Sequence, residues 1–369
     1  MPHENIFTAT IARAARFPFW LLARRPAFVP RKVLILKPCC LSQVMLTTPL
    51  LAALNEAYPQ AQFDWAVSDW ARPAIASNQR LTDIISTGPG SLHDQNWSEV
   101  YALAMQLQEQ RYDTCIIPSR SSLLSLVAWW ARIPQRVGLH LNGRGFAHTL
   151  AVKPPRDVQH EAAVLLSLAS ALGVSDEIIN SVGMEFYPPD TDRTTVTQRL
   201  VGADWLGDAP LVIVHPGGGI NPTQPDPIKQ WPVERYVLLI SHIIRRFQAR
   251  VVLVGSAADR PLAVAIQGML SVPLFDLAGK INLAELGALC EVANLFIGND
   301  SGPTHVAAAV GCQTVAIFGP SDPAISKPYA TKGKVVALWR EGRGERPFSW
   351  EDGVTVPEAI EAVNKLLTV

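Results

Sequence analysis

Residues 295–311 read Leu-Phe-Ile-Gly-Asn-Asp-Ser-Gly-Pro-Thr-His-Val-Ala-Ala-Ala-Val-Gly. A short apolar run stops at Asp300, Ser301 and Gly302, an alanine-rich helix follows, and Gly311 ends it. The first N–H groups of a helix have no partner inside it, and the helix dipole puts partial positive charge there. Such an end receives phosphate groups. Ser301 and Thr304 add hydroxyl donors, Gly302 lets a ligand approach the backbone, and His305 offers a ring N–H. Asp and Ser are also ordinary helix caps, so the stretch gains its weight from what surrounds it.

Two further loops carry compatible chemistry. Pro216-Gly217-Gly218-Gly219 follows an apolar run, and consecutive glycines permit unusual backbone angles and close contact with a phosphate. The loop is neither G-x-G-x-x-G nor G-x-x-x-x-G-K, so it supports no nicotinamide site and no P-loop. Lys229-Gln230-Trp231-Pro232 closes a proline-rich loop and sets an ammonium just before a helix, where a cation neutralises a diphosphate leaving group. Backbone donors, hydroxyls, one imidazole and one ammonium together suit a diphosphate held without metal. Gly255-Ser256 and Lys280-Ile281-Asn282 are placed to flank a nucleoside.

The elements that must position these loops alternate. Val33–Leu36, Gln62–Val67, Ile84–Ile85, Thr114–Ile117 and Arg136–Leu139 read as short buried strands, with helices over 43–57, 123–131 and 160–172. The alternation restarts with strands at Leu211–His215, Val251–Gly255, Leu295–Ile297 and, last, Thr314–Phe318. Between them a helix opens near Pro232 with Tyr236, Val237, Ile240, Ile243, Ile244 and Phe247 on one stripe. Two such blocks predict an α/β protein of two facing Rossmann-like domains, with ligands beyond the carboxyl ends of the strands and in the cleft between the domains. The expected division is an arm at 1–30, a first domain at 31–187, a linker at 188–210, a second domain at 211–345, and a segment at 346–369. The helix of that last segment, about Pro357 to Leu367, is expected to pack back on the first domain.

Composition narrows the function. The chain has 369 residues, 48% hydrophobic and 17% charged, which suits buried cores rather than disorder. Net charge is zero, so no global field attracts nucleic acid. Five cysteines without C-x-x-C spacing, and no H-E-x-x-H, predict reduced thiols, no zinc site and no cofactor in a cytoplasmic protein. The neighbours Cys39 and Cys40 are not expected to bridge each other. No apolar run is long enough to span a membrane. The first 32 residues nevertheless set six bases against the single acid Glu4, interleaved with Phe17, Phe19, Trp20, Leu21 and Leu22. That pattern fits either a peripheral contact with the inner face of the cytoplasmic membrane or a helix packed on the domain surface.

The order His-Pro-Gly-Gly-Gly, Lys-x-Trp-Pro, Asp-Ser-Gly-Pro-Thr-His, Phe-Gly-Pro-Ser-Asp-Pro resembles the family 9 glycosyltransferases, the ADP-heptose:lipopolysaccharide heptosyltransferases. The resemblance runs from about Arg31 to Tyr329 and includes Ile35-Leu36-Lys37, Thr47-Thr48-Pro49-Leu50-Leu51, Phe63-Asp64-Trp65 and Arg136-Val137-Gly138. It implies a glycosyltransferase B-type fold, with the acceptor in the N-terminal domain and the nucleotide-sugar donor in the C-terminal one. It further implies inverting, metal-independent transfer of a sugar, heptose from ADP-heptose, to a lipid-linked or core oligosaccharide. By this match Lys229 contacts the donor phosphates and Asp300 orients the loop or meets the sugar. Ser301, Gly302 and His305 hold the diphosphate, Gly218 and Gly219 match a loop with phosphate-binding groups, and Ile281 lines the adenine pocket; the residue types add Thr304 and Gly217 to the donor-binding candidates. Lys37 and Arg120 are candidates for binding an anionic acceptor, with Gln43 beside them on the acceptor side.

One position departs from the family. Its first loop reads Leu-Gly-Asp, with the aspartate as proposed base, whereas this chain has Leu41-Ser42-Gln43. An inverting transfer needs a group to take the acceptor hydroxyl's proton, and a glutamine amide does not do so near neutral pH. Asp69 is the first substitute, because it follows a strand and is expected to face the cleft; His93 and Asp64 are poorer ones. The alternative is a non-catalytic nucleotide-sugar or glycan-binding protein on the same fold. A serine hydrolase built on Ser301 is disfavoured, since no G-x-S-x-G elbow exists.

Overall fold

The computed structural model describes residue 14 and residues 28–140, 145–221, 224–341 and 347–367. The chain divides into two compact units, one within 1–72 and 78–182, the other comprising 73–77 and 183–369. The basic arm at 1–30 lies almost wholly outside the described residues.

The first unit contains β1 (Lys32–Leu36), α1 (Leu41–Met45), α2 (Thr48–Ala57), β2 (Gln62–Val67), β3 (Asp83–Ser86), α3 (Trp97–Glu109), β4 (Thr114–Ile117), α4 (Ser122–Trp130), β5 (Gln135–Leu139), β6 (Leu150–Val152), α5 (Glu161–Ala171) and α6 (Asp176–Ser181). Its strands lie in the order β3-β2-β1-β4-β5-β6, all parallel. Helix α3 starts on a capping box, Asn96 with Glu99, and buries Val100, Leu103, Ala104 and Leu107. That is one face of a 3.6-residue repeat. With Leu124, Val127 and Ala128 of α4 it covers Leu34, Leu36, Cys115 and Ile117 of the sheet.

The second unit contains α7 (Asp190–Gly202), β7 (Leu211–His215), the two-residue strands β8 (Ile220–Asn221) and β9 (Gln224–Pro225), α8 (Val233–Phe247), β10 (Arg250–Leu253), α9 (Arg260–Met269), β11 (Phe275–Asp276), α10 (Leu283–Val292), β12 (Leu295–Asn299), α11 (Gly302–Ala309), β13 (Thr314–Ile317), α12 (Pro323–Ser326), β14 (Val335–Leu338) and α13 (Val356–Leu366). Its six-stranded parallel sheet runs β11-β10-β7-β12-β13-β14. Both faces are covered, so the strands are apolar on both sides. Leu211 and Ile213 pack toward α7 and α10, and Val212 and Val214 toward α8 and α13.

Each unit thus repeats the Rossmann order 3-2-1-4-5-6. The order reverses between β1 and β4 in the first unit, and between β7 and β12 in the second. Connections leave such a point in opposite directions and open a crevice at the strand ends.

Four expectations need correction. The segment 188–210 is not simply a linker: α7 occupies it, burying Val196 and Leu200 and joining α10 through Arg193–Glu291 at 2.7 Å. The strand at 314–317 is not the last, because β14 pairs beside it. The C-terminal helix does not return to the first unit. Ala359, Ala362, Val363 and Leu366 of α13 join the core formed by α8 and the second sheet. Cys39 and Cys40 are disulfide-bonded to each other, with a cis peptide between them and Cα atoms 3.1 Å apart; the contrary expectation rested only on their being chain neighbours. Cys115, Cys290 and Cys312 are free and buried.

Since α13 completes the second core, Leu366→Ala is expected to destabilise that unit by about 2–5 kcal/mol. Hydrogen exchange measures it: protection falls in β7, α8 and β13 and is retained in β1 and β4.

Candidate functional site

At the second switch point the strand ends are tied by one fully buried side chain. Asn299, the last residue of β12, donates from Nδ2 to the carbonyls of Pro216 and Gly217, at 2.9 and 3.0 Å. Its Oδ1 accepts from the Tyr236 hydroxyl at 3.0 Å and from the Trp231 N–H at 3.2 Å. A single amide therefore joins the glycine loop, the start of α8 and the Asp300 loop. Trp231 and Tyr236 are themselves buried in edge-to-face contact, 5.0 Å between ring centroids.

On this frame Lys229 reaches Asp300, Nζ to Oδ2 2.7 Å, with the carboxylate buried and the lysine partly exposed. Ser301 occupies the N-cap of α11 in extended conformation but gives no side-chain cap. Its hydroxyl lies 3.4 Å from both His215 Nδ1 and Thr304 Oγ1. The first turn of α11 therefore opens without a side-chain oxygen over its N–H groups, and Lys229 is fixed to the adjacent residue. His215 is buried, and burial holds its pKa below the ordinary value against the opposing pull of Asp259, 3.9 Å away. Asp259 in turn accepts from the Ser256 N–H and hydroxyl. Ser301, His215 and Asp259 thus fall in a row, but with gaps of 3.4 and 3.9 Å in a fully buried setting, which is loop packing rather than an exposed nucleophile.

Several predicted contacts change meaning here. Thr304 donates its hydroxyl to the Asn299 carbonyl and so braces the loop. His305 is buried. A Cβ on Gly217 would lie 2.4 Å from the Asp259 carboxylate, and one on Gly218 would lie 2.3 Å from the Asp226 carbonyl. The close approach that these glycines allow is to the chain itself. Gly219, at φ +80°, provides the turn. Gly302 is partly exposed at the start of α11. Ile281 packs on the core just ahead of α10 and is partly buried.

The first switch point carries a different cluster. Lys37 follows β1 and is 6% exposed. Its Nζ donates to the Pro118 carbonyl beyond β4 at 2.9 Å and to Gln43 Oε1 of α1 at 3.3 Å. Arg120 is ion-paired with Glu161, the buried first residue of α5, at 2.8 Å. The two expected acceptor cations are thus largely engaged within the protein. Burial pushes Lys37 down to about 8, Glu161 pulls it up, and Arg120 adds to the depression. Asp69 is exposed beyond β2 and accepts from the Ser86 hydroxyl at 2.6 Å. His93 Nε2 meets the Ser121 hydroxyl at 3.2 Å, while Asp64 is buried on Tyr112. Among the described residues no three His, Cys, Asp or Glu side chains converge as a metal site would require.

Sequence reasoning assigned no role to Asn299, His215, Asp259 or Glu161. Each sits at a strand or helix end and reads there as an ordinary terminal residue.

Parallel sheets with a built crevice at the switch point define the class of α/β proteins that hold nucleotides at their strand ends. The pattern of glycosyltransferase family 9 (heptosyltransferase) matches residues 100–346, and the chain belongs to that family. Lipooligosaccharide heptosyltransferase 2 of Haemophilus influenzae is 26% identical to it over 357 residues, covering 91% of this chain and 99% of that protein. The structure of a family 9 glycosyltransferase from Veillonella parvula matches with a TM-score of 0.78 at 22% identity, covering 91% of this chain and 97% of that one. ADP-heptose lipopolysaccharide heptosyltransferase II of Escherichia coli matches with a TM-score of 0.70 at 25% identity, covering 91% and 98%. The chain is a glycosyltransferase.

The Lys37 burial has a signed consequence. Between about pH 8 and the ordinary lysine value of 10.5, the unfolded chain binds the extra proton, so the Lys37 contribution to stability rises with pH. Denaturant titrations of wild type and Lys37→Met are expected to show a difference that is flat below pH 8 and shifts toward wild type above it. A difference flat to pH 10.5 would contradict the assigned burial.

Proposed function

We propose that this protein is an inverting, metal-independent heptosyltransferase that moves heptose from ADP-heptose to a lipopolysaccharide-type core acceptor. The observation that carries the donor half is the Lys229–Asp300 pair, 2.7 Å apart, beside the uncapped first turn of α11. A diphosphate set there meets the helix N-terminus and an ammonium that keeps two further donors beyond Asp300. Those groups neutralise the negative charge that grows on ADP as the bond from its β-phosphate oxygen to the anomeric carbon breaks. The adenosine lies toward Ile281. The similarity to enzymes whose names specify heptose and lipopolysaccharide supports the sugar and acceptor class.

The acceptor half belongs to the first unit. The acceptor hydroxyl gives its proton to Asp69, its oxygen attacks the anomeric carbon opposite the leaving phosphate, and configuration inverts. Asp69 is the exposed carboxylate available for this, whereas Asp64 is buried and Lys37 is turned inward. The basic arm at 1–30 is proposed to hold the enzyme at the inner membrane face near a lipid-linked acceptor; no helix among the described residues is long and apolar enough to cross the membrane. A second reading rests on Gln43. With its amide oxygen taken by Lys37 and no carboxylate at the family's base position, the protein binds nucleotide sugar without turning it over.

The test is ADP release from ADP-heptose, with and without a lipopolysaccharide-core acceptor. Acceptor-dependent release is expected from wild type. Lys229→Met is expected to cut kcat about 100-fold or more, and Asp69→Asn by about 100- to 10,000-fold. ADP-heptose binding without release, in wild type and in Gln43→Asp alike, would favour the binding-protein reading.

A further inference from the structure

The first unit carries a cavity of about 570 Å³ that none of the residues described above as site candidates line. It opens between the middle of α3 and the end of α4, at the start of β5. In a β-α-β connection the helix returns the chain to the amino ends of the strands. The cavity therefore lies at the edge opposite to Lys37, Arg120 and Asp69.

Its walls combine two kinds of chemistry. Tyr101 and Trp130 line it in edge-to-face contact, with centroids 5.6 Å apart, and Trp97 braces Trp130 from 6.3 Å. Trp129, also in the wall, is 41% exposed. Gln108 and Arg132 supply hydrogen-bond donors, Arg136 adds positive charge, and no acidic residue lines the cavity. Arg136 is 8% exposed, with its Nε held by the Ala147 carbonyl at 2.6 Å and its Nη1 by the Ile133 carbonyl. Arg132 follows α4 at φ +56°, a left-handed conformation that a side chain occupies at a cost.

We propose that this cavity is a saccharide-binding subsite for an anionic glycan, separate from the transfer site. Sugar rings present an apolar C–H face beside a rim of hydroxyls, which matches braced aromatic rings set among amide and guanidinium donors. The exposed Arg132 guanidinium, backed by the charge of Arg136 and opposed by no carboxylate, selects a carboxylated or phosphorylated sugar. The volume is that of small-ligand pockets. The glycan source rests on the proposed acceptor class: an extended core oligosaccharide engages this subsite with one residue while another is glycosylated.

Binding of delipidated lipopolysaccharide-core oligosaccharide to the full-length protein is measured calorimetrically, without donor, so that failure of transfer leaves the result readable. The expected result is saturable binding weakened roughly tenfold or more by Trp129→Ala and likewise by Arg132→Gly. Glycine accepts the left-handed φ, so the second variant keeps the fold. In the transfer assay, these variants raise KM for the long acceptor and leave kcat unchanged. Wild-type affinity in both variants would overturn the proposal. So would inorganic phosphate binding as tightly as the oligosaccharide, or loss in Trp129→Ala of binding to anionic phospholipid vesicles alone.

Discussion

At the reversal of a 3-2-1-4-5-6 sheet, two adjacent strands send their connections to opposite faces, and backbone groups at their ends lose the neighbour that would pair with them. Left open and buried, each such group costs free energy comparable to a lost hydrogen bond. In the second unit one amide resolves this. Asn299 donates to the two carbonyls that leave β7 and accepts from Trp231 and Tyr236 at the start of α8. The glycine loop, the lysine loop and the helix that opens at Gly302 are held together because they share that side chain. A carboxylate of the same shape offers no donors, and a leucine satisfies none of the four groups.

The first unit meets the same topological problem with an ion. Lys37, one residue beyond β1, donates across the reversal to the carbonyl of Pro118 beyond β4. The cost differs in kind: a buried amide is neutral at every pH, whereas a buried ammonium is desolvated and titrates low. Glu161 offsets part of that cost while also binding Arg120. Gln43 fits this setting as a neutral acceptor for Lys37. A carboxylate placed there would pair with the ammonium and raise its pKa, so the departure from the family motif also changes the electrostatics of its neighbour.

Much of this was legible in the sequence. Short runs such as Leu211–His215 and Thr114–Ile117 are apolar throughout because parallel strands are buried on both faces. The stripe of α8 and the Asp300 to His305 motif carried their own periodicity and capping signals. What stayed hidden has physical causes. Helix α7 is rich in Asp and Thr, and only Val196 and Leu200, four residues apart, mark its buried side. Strand β14 is a half-buried edge strand. The sequence shows the Thr304 hydroxyl but not the Asn299 carbonyl that it serves. The roles of Asn299 and Glu161 depend on partners 41 to 83 residues away, which no local pattern reveals.

Whether the buried Asn299 amide clamps these loops into a diphosphate site is read most directly by titrating ADP into wild type and the isosteric Asn299→Asp variant, with hydrogen exchange reporting whether both sheets remain folded. Wild type should bind ADP, and the variant should lose at least about tenfold in affinity while its β-strands stay protected. Unchanged ADP affinity in a folded Asn299→Asp protein, or no ADP binding by wild type, would contradict the account.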